Sequence, residues 1–205
     1  MNHVKLSNSK SGSAGMPCGG TCCKIVDIKS GEILGPNQTG ELCVKSDTIM
    51  EGYQVQNSSD RIGSSGWFKT GDLAYYDEYH CFYIIDRVTE LINVGEKSIH
   101  PCKLESILME HPVVDRAVVL GLPDSNNEVV PVGFILPKST TEPEIDLNEL
   151  LEYVNKQVDE DENLKGGVRI VNNLPLTVTG KVRRKFFKES MISEEKTEVE
   201  EPPTD

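Results

Sequence analysis

Pro175-Leu-Thr-Val-Thr-Gly-Lys181 decides how the rest of the chain is read. It holds too few apolar residues for a buried strand, and Gly180 is a turn residue set directly before a lysine. A lysine so placed presents a compact point charge on a flexible stem, which suits a single phosphoryl oxygen. Two upstream stretches extend the pattern: Gly66-Trp-Phe-Lys-Thr-Gly-Asp72 and Tyr83-Ile-Ile-Asp-Arg87. The carboxylate of Asp72 has acceptor capacity for both hydroxyls of a ribose diol, and Gly71 permits a tight turn that would expose it. Arg87 ends an apolar run, where a guanidinium must find a partner, and Asp86 is the nearest in sequence. Taken singly, each residue also has a plain reading: a surface lysine after a turn, an aspartate capping its own backbone, and a local Asp86–Arg87 ion pair.

Around these motifs the chain divides in two. Residues 21–27, 41–45, 67–68, 73–76 and 82–85 read as strands of a small antiparallel or barrel-like module, punctuated by the turn cluster at 35–40 and a polar loop at 57–66. After Arg87, strands and helices alternate. Residues 91–94, 117–120, 129–136 and 168–171 are strand candidates. Pro101 opens a helix, where its missing N–H costs little, and Leu104, Ile107 and Leu108 mark its buried face. Asp146 and Glu149 form a capping box for a second helix, whose stripe is Leu147, Leu150, Leu151, Val154 and Val158. A third helix is expected over 182–191. The fold class is α+β, a β-rich subdomain followed by an α+β domain. The expected segments are an N-terminal loop (1–20), the β-rich module (21–86), the α+β domain (87–190) and an acidic tail without order (191–205). The glycines at 12, 15, 19 and 20 miss the spacing of a phosphate-binding loop and read as turn residues.

Composition excludes several classes. The net charge is -12, and the stretch from Glu189 to Asp205 holds seven acids against one lysine, so half the excess lies there. That balance argues against nucleic acid as a partner. No eighteen-residue apolar run predicts a membrane span. The six cysteines keep no C-x-x-C spacing, so free thiols are expected in place of a metal site. With no apolar leader and Pro203-Thr-Asp205 at the end instead of a peroxisomal tripeptide, the expected location is cytoplasmic.

Together the three motifs, in this order, resemble the C-terminal portion of the acyl-adenylate-forming enzymes: acyl-CoA synthetases, 4-coumarate–CoA ligases, firefly luciferase and peptide-synthetase adenylation domains. The resemblance runs from about Gly12 to about Ser190. It implies that Lys181 is the adenylation lysine, that Asp72 binds the ribose of ATP or AMP, and that Arg87 contacts ribose or phosphate. It places a hinge at Asp86, Arg87 and Thr89. It also makes Gly95, Glu96 and Lys97 part of a loop lining the pantetheine path of CoA. Magnesium would arrive on ATP, with no ligands in this chain. The further partners implied are a small carboxylic acid and an N-terminal domain with the phosphate loop and acyl pocket, absent from these residues; without it the chain is expected to be inactive. Glu96 stands where many members carry glycine, Thr89 where the hinge holds Asp or Lys, and Lys103 where a glutamate is common, although Glu105 is kept. These departures bear on CoA transfer more than on adenylation. A non-catalytic interaction protein built on the same fold and a luciferase-like monooxygenase are the alternatives.

Overall fold

The computed structural model describes residues 10–50, 62–63, 65–138 and 146–200, with side chains described as far as residue 193. The chain forms two compact units, Met1–Glu90 and Leu91–Asp205. The division falls just past the junction expected at 86–89.

The first unit is an antiparallel sheet of β1 (Thr21–Val26), β2 (Ile33–Leu34), β3 (Gly40–Ser46), β4 (Phe68–Tyr76) and β5 (Phe82–Arg87), in the order β2-β1-β3-β4-β5. It is antiparallel throughout, the first of the two forms expected from the sequence, and among the described residues β2 and β5 are its edges. Ile25, Cys43, Leu73 and Ala74 supply its buried side, and burial pushes the Cys43 thiol upward. None of the six cysteines is joined in a disulfide. Two strands expected at 67–68 and 73–76 are one continuous β4, because the Thr-Gly-Asp segment between them bulges without leaving the ladder. Tyr75 and Tyr83 stack across β4 and β5 with ring centroids 4.8 Å apart.

The N-terminal segment is not a free loop throughout. Ala14 donates its N–H to the carbonyl of Phe82 and Gly15 accepts from the N–H of Phe82, both at 2.8 Å, so part of the β5 edge is covered. Lys10 fastens this segment to Asp77 at 2.5 Å, and its ammonium lies 3.9 Å from the ring centre of Tyr79. The Lys10 hydrogen bond, with backbone N–H groups of Cys81 and Tyr79 behind it, holds the Asp77 carboxyl down at about 2. Most of the expected polar loop at 57–66 lies outside the described residues.

The second unit is layered. Strands β8 (Val114–Pro123) and β9 (Val129–Pro137) pair antiparallel, and β10 (Val168–Ile170) adds parallel to β9, in the order β10-β9-β8. Side chains alternate across a strand. Ala117, Val119 and Ile135 therefore pack on one side with Leu104 and Leu108 of α1 (Pro101–Glu110) and Leu150 and Val154 of α2 (Leu147–Asn155). Val118, Leu120 and Phe134 pack on the other with Leu174 and Phe187, the latter on α3 (Arg184–Glu200). Burial on both faces explains why β8 and β9 read as continuous apolar runs. Asp146 caps α2, its Oδ1 accepting from the N–H groups of Asn148 and Glu149.

Two features differ from the sequence reading. Residues 92–99, expected as one short strand and a loop, form a hairpin of β6 (Ile92–Val94) and β7 (Lys97–Ile99). Its inward residues, Ile92 and Ile99, join the α1 core, so burial creates a strand that three residues of propensity do not announce. The third helix runs on to Glu200, beyond the expected end at 191; residues 201–205 lie outside the described residues.

Candidate functional site

The Asp72 site grows from a mismatch between strands. Gly40 pairs with Ala74 and Glu41 with Leu73, and the register resumes at Cys43 with Lys69. Thr70, Gly71 and Asp72 therefore stand opposite Leu42 alone. Gly71 takes φ 74°, which only glycine adopts without strain. Thr70 donates from Oγ1 to the carbonyl of Leu42 at 2.9 Å and accepts at Oγ1 from the N–H of Asp72 at 3.0 Å. The expected tight turn is thus a bulge inside β4, and the threonine hydroxyl holds it in shape.

On the far side of β4, Asp72 pairs in register with Arg87 at the end of β5. Arg87 Nε lies 2.8 Å from Asp72 Oδ1, and a terminal guanidinium nitrogen donates to the Thr70 carbonyl at 3.3 Å. The partner of Arg87 is Asp72 and not the adjacent Asp86. Side chains of neighbouring strand residues point to opposite faces, and Asp86 is buried, one oxygen accepting from the N–H of Arg87 at 2.7 Å. The arginine is more than half exposed, so the pair contributes little to stability in water. It does set a carboxylate acceptor beside a guanidinium donor on an accessible strand end. Thr89 follows in a single 3-10 turn, Val88–Glu90, that closes this unit.

In the second unit, Gly95 and Glu96 are the exposed turn of the β6–β7 hairpin. Lys97, first in β7, is paired with Asp161, and Lys103 on α1 lies 2.5 Å from Glu162. Both acids belong to the 3-10 turn Glu160–Glu162, whose charges the sequence reading leaves without a role.

Lys181 lies at the tip region of a hairpin over residues 175–183. Leu176 bridges Val182, Thr177 donates to the Lys181 carbonyl at 2.7 Å, and Arg183 donates to the Pro175 carbonyl at 2.8 Å. Gly180, at φ 79°, turns the chain, and Thr177 Oγ1 accepts from the N–H of Lys181 at 3.1 Å. Thr177, Val178, Thr179, Gly180 and Lys181 are all exposed. Among the described residues no carboxylate pairs with the Lys181 ammonium. The described residues also hold no cluster of His, Cys, Asp or Glu able to bind a metal ion.

The structure joins Asp72 and Arg87 within the first unit and sets Gly95, Glu96, Lys97 and Lys181 in the second. Two residues not assigned a site role in the sequence stand out. Thr70 shapes the bulge, signalled only by its place before Gly-Asp. Glu105 is paired with Arg184 across the second unit, which no local spacing reveals.

Comparison with known proteins gives the chain's relatives. Residues 2–54 match the family described as AMP-binding enzyme, and residues 103–181 match the AMP-binding enzyme C-terminal domain. A luciferin 4-monooxygenase of Luciola mingrelica is 38% identical over 171 residues, 81% of this chain and 30% of that protein. A probable 4-coumarate–CoA ligase of Dictyostelium discoideum is 36% identical over 185 residues, 88% of this chain and 33% of that protein. The solved o-succinylbenzoate CoA synthetase of Bacillus subtilis, in complex with the acyl-adenylate intermediate OSB-AMP, superposes with a TM-score of 0.77 at 29% identity. The match covers 87% of this chain and 36% of that one. The chain thus spans about a third of the length of the curated relatives it matches.

Proposed function

The chain belongs to the acyl-adenylate-forming enzymes and matches their C-terminal portion, and from that premise we propose that it is the C-terminal part of an ATP-dependent acid–CoA ligase. The overall reaction has two steps. A carboxylic acid and ATP give acyl-AMP and pyrophosphate; acyl-AMP and CoA then give acyl-CoA and AMP. In the first step the acid's oxygen attacks the α-phosphorus and pyrophosphate leaves. Negative charge accumulates on the phosphoryl oxygens, and a fixed cation lowers that barrier without moving a proton.

Lys181 is the cation. The observation that carries this reading is its exposure on a turned hairpin with no carboxylate neutralising it among the described residues. Asp72 takes the ribose hydroxyls: Arg87 engages one oxygen from the side, and the carboxylate's remaining lone pairs are available to the diol. Arg87 orients the carboxylate and offers its other N–H groups to ribose or phosphate. The exposed Gly95-Glu96-Lys97 turn serves the thioester step along the path of the CoA thiol, and Thr89 lies in the hinge. Magnesium comes with ATP. On its own this portion does not turn over, because positioning of both substrates supplies roughly 7–11 kcal/mol of such a barrier and no phosphate loop occurs in these 205 residues.

The test is ATP–pyrophosphate exchange, with this chain combined with a polypeptide corresponding to the remaining two-thirds of a relative. Exchange should appear only with both parts present and should be lost with Lys181→Ala. Exchange that persists in Lys181→Ala removes the assigned role. A luciferin-type monooxygenase would share the adenylation step and differ in the second: AMP release would then require oxygen instead of CoA.

A further inference from the structure

We infer that the buried Glu105–Arg184 pair is a positioning device for Lys181, an inference resting on the adenylation reading above. Arg184 grips Glu105 with both terminal nitrogens, at 2.7 and 2.6 Å. The same pair engages Val119 of β8: Glu105 accepts from its N–H at 2.7 Å, and Arg184 donates to its carbonyl at 3.3 Å. Among the described residues strand β8 is an edge of its sheet, so the pair caps polar backbone that no described strand adjoins there. Glu105 is buried and Arg184 is four-fifths covered.

A buried ion pair is a poor way to add stability, since apolar residues of similar volume often serve as well or better. Helix α3 already has such an anchor in Phe187, whose ring meets Phe134 edge-on at 5.0 Å. The bidentate fork adds direction, because two parallel bonds fix the orientation of the guanidinium. Arg184 is three residues after Lys181, at the exit of the 175–183 hairpin. The entry is held by Leu174, buried in the β8–β9 core. The tip is exposed and, among the described residues, held only by its own hydrogen bonds, among them Thr177 to Thr179 at 2.9 Å. The two roots therefore set where the tip goes, and only the Arg184 root is directional. A displacement of about 1 Å at a reacting group can cost a hundredfold in rate.

Backbone 15N order parameters of the 205-residue chain test this directly. In the unaltered protein, residues 177–183 should approach the rigid value of about 0.85. In the double variant Glu105→Leu/Arg184→Met, which fills the site with apolar groups, they should fall below about 0.6, while Phe134 and Ile135 stay unchanged. Should that variant not fold, Arg184→Lys keeps the charge, breaks the fork, and should loosen the same residues. The proposal is overturned if the hairpin is already loose in the unaltered chain, if it stays rigid in the variants, or if sheet and hairpin loosen together. Pyrophosphate exchange with Lys181→Ala is a separate arm: exchange that persists there removes the adenylation role of Lys181 and leaves the order measurement standing.

Discussion

The Asp72 bulge and the Lys181 hairpin solve opposite problems with the same turn chemistry. Both place a glycine at positive φ directly before the candidate residue and brace its backbone N–H with a threonine hydroxyl. In the bulge, the candidate side chain is tied down: Arg87 meets the Asp72 carboxylate, while Thr70 holds the Asp72 backbone N–H. In the hairpin, the backbone is tied and the side chain is left open. The difference fits the tasks proposed. A group that binds a sugar benefits from a preset direction, whereas a cation meant for developing phosphate charge loses its value if a carboxylate neutralises it first.

The contrast can be broken most severely at the root of the hairpin. Arg184→Ala strands Glu105 as an unpaired buried charge and should destabilise the second unit by roughly 3–5 kcal/mol, read as a lower urea midpoint in that unit. Lys181→Ala should do the reverse: pyrophosphate exchange with the complementary polypeptide falls by about 10²–10³, while the melting temperature does not move. Gly71→Val forces a β-branched residue to φ 74°, costing roughly 1–3 kcal/mol; AMP binding by calorimetry should weaken as the bulge shifts Asp72. Arg87→Lys replaces the planar fork with a point charge and should weaken AMP binding by tenfold at most, since an exposed pair is worth about 1 kcal/mol or less.

The smallest effect concerns the Lys10–Asp77 clip of the first unit. The Lys10 hydrogen bond holds the Asp77 carboxyl at about 2 in the folded chain, below the ordinary aspartate value of 3.8. Its contribution is therefore complete above about 3.8 and is lost as pH falls through about 2. The protection factor of the Ala14 amide, its exchange rate set against the intrinsic rate at the same pH, should be high at pH 5 and fall on acidification toward pH 2. Asp77→Asn should show the low protection at both.

Much of the second unit was legible in the sequence because its signals are local. The proline opening α1, the Asp146 cap and the apolar stripe of α2 each act within a few residues, and β8 and β9 are long apolar runs. Of hairpin β6–β7, the first strand was expected at 91–94 and only β7 (Lys97–Ile99) was not legible, since so short a strand is made by the core it joins and not by its own propensity. In the first unit, one interrupted strand reads as two because Thr-Gly-Asp looks like a turn until the register of β3 shows what lies opposite.

The functional residues divide in the same manner. Chemistry and spacing along the chain mark Lys181, Asp72 and Arg87 as candidates, because glycine before a polar residue is a short-range signal. Which acid Arg87 faces, which base Glu105 holds, and that Lys181 faces none among the described residues were settled by the fold. Those are relations between residues 15 to 79 positions apart, and only strand register and helix packing bring such residues within reach of a hydrogen bond.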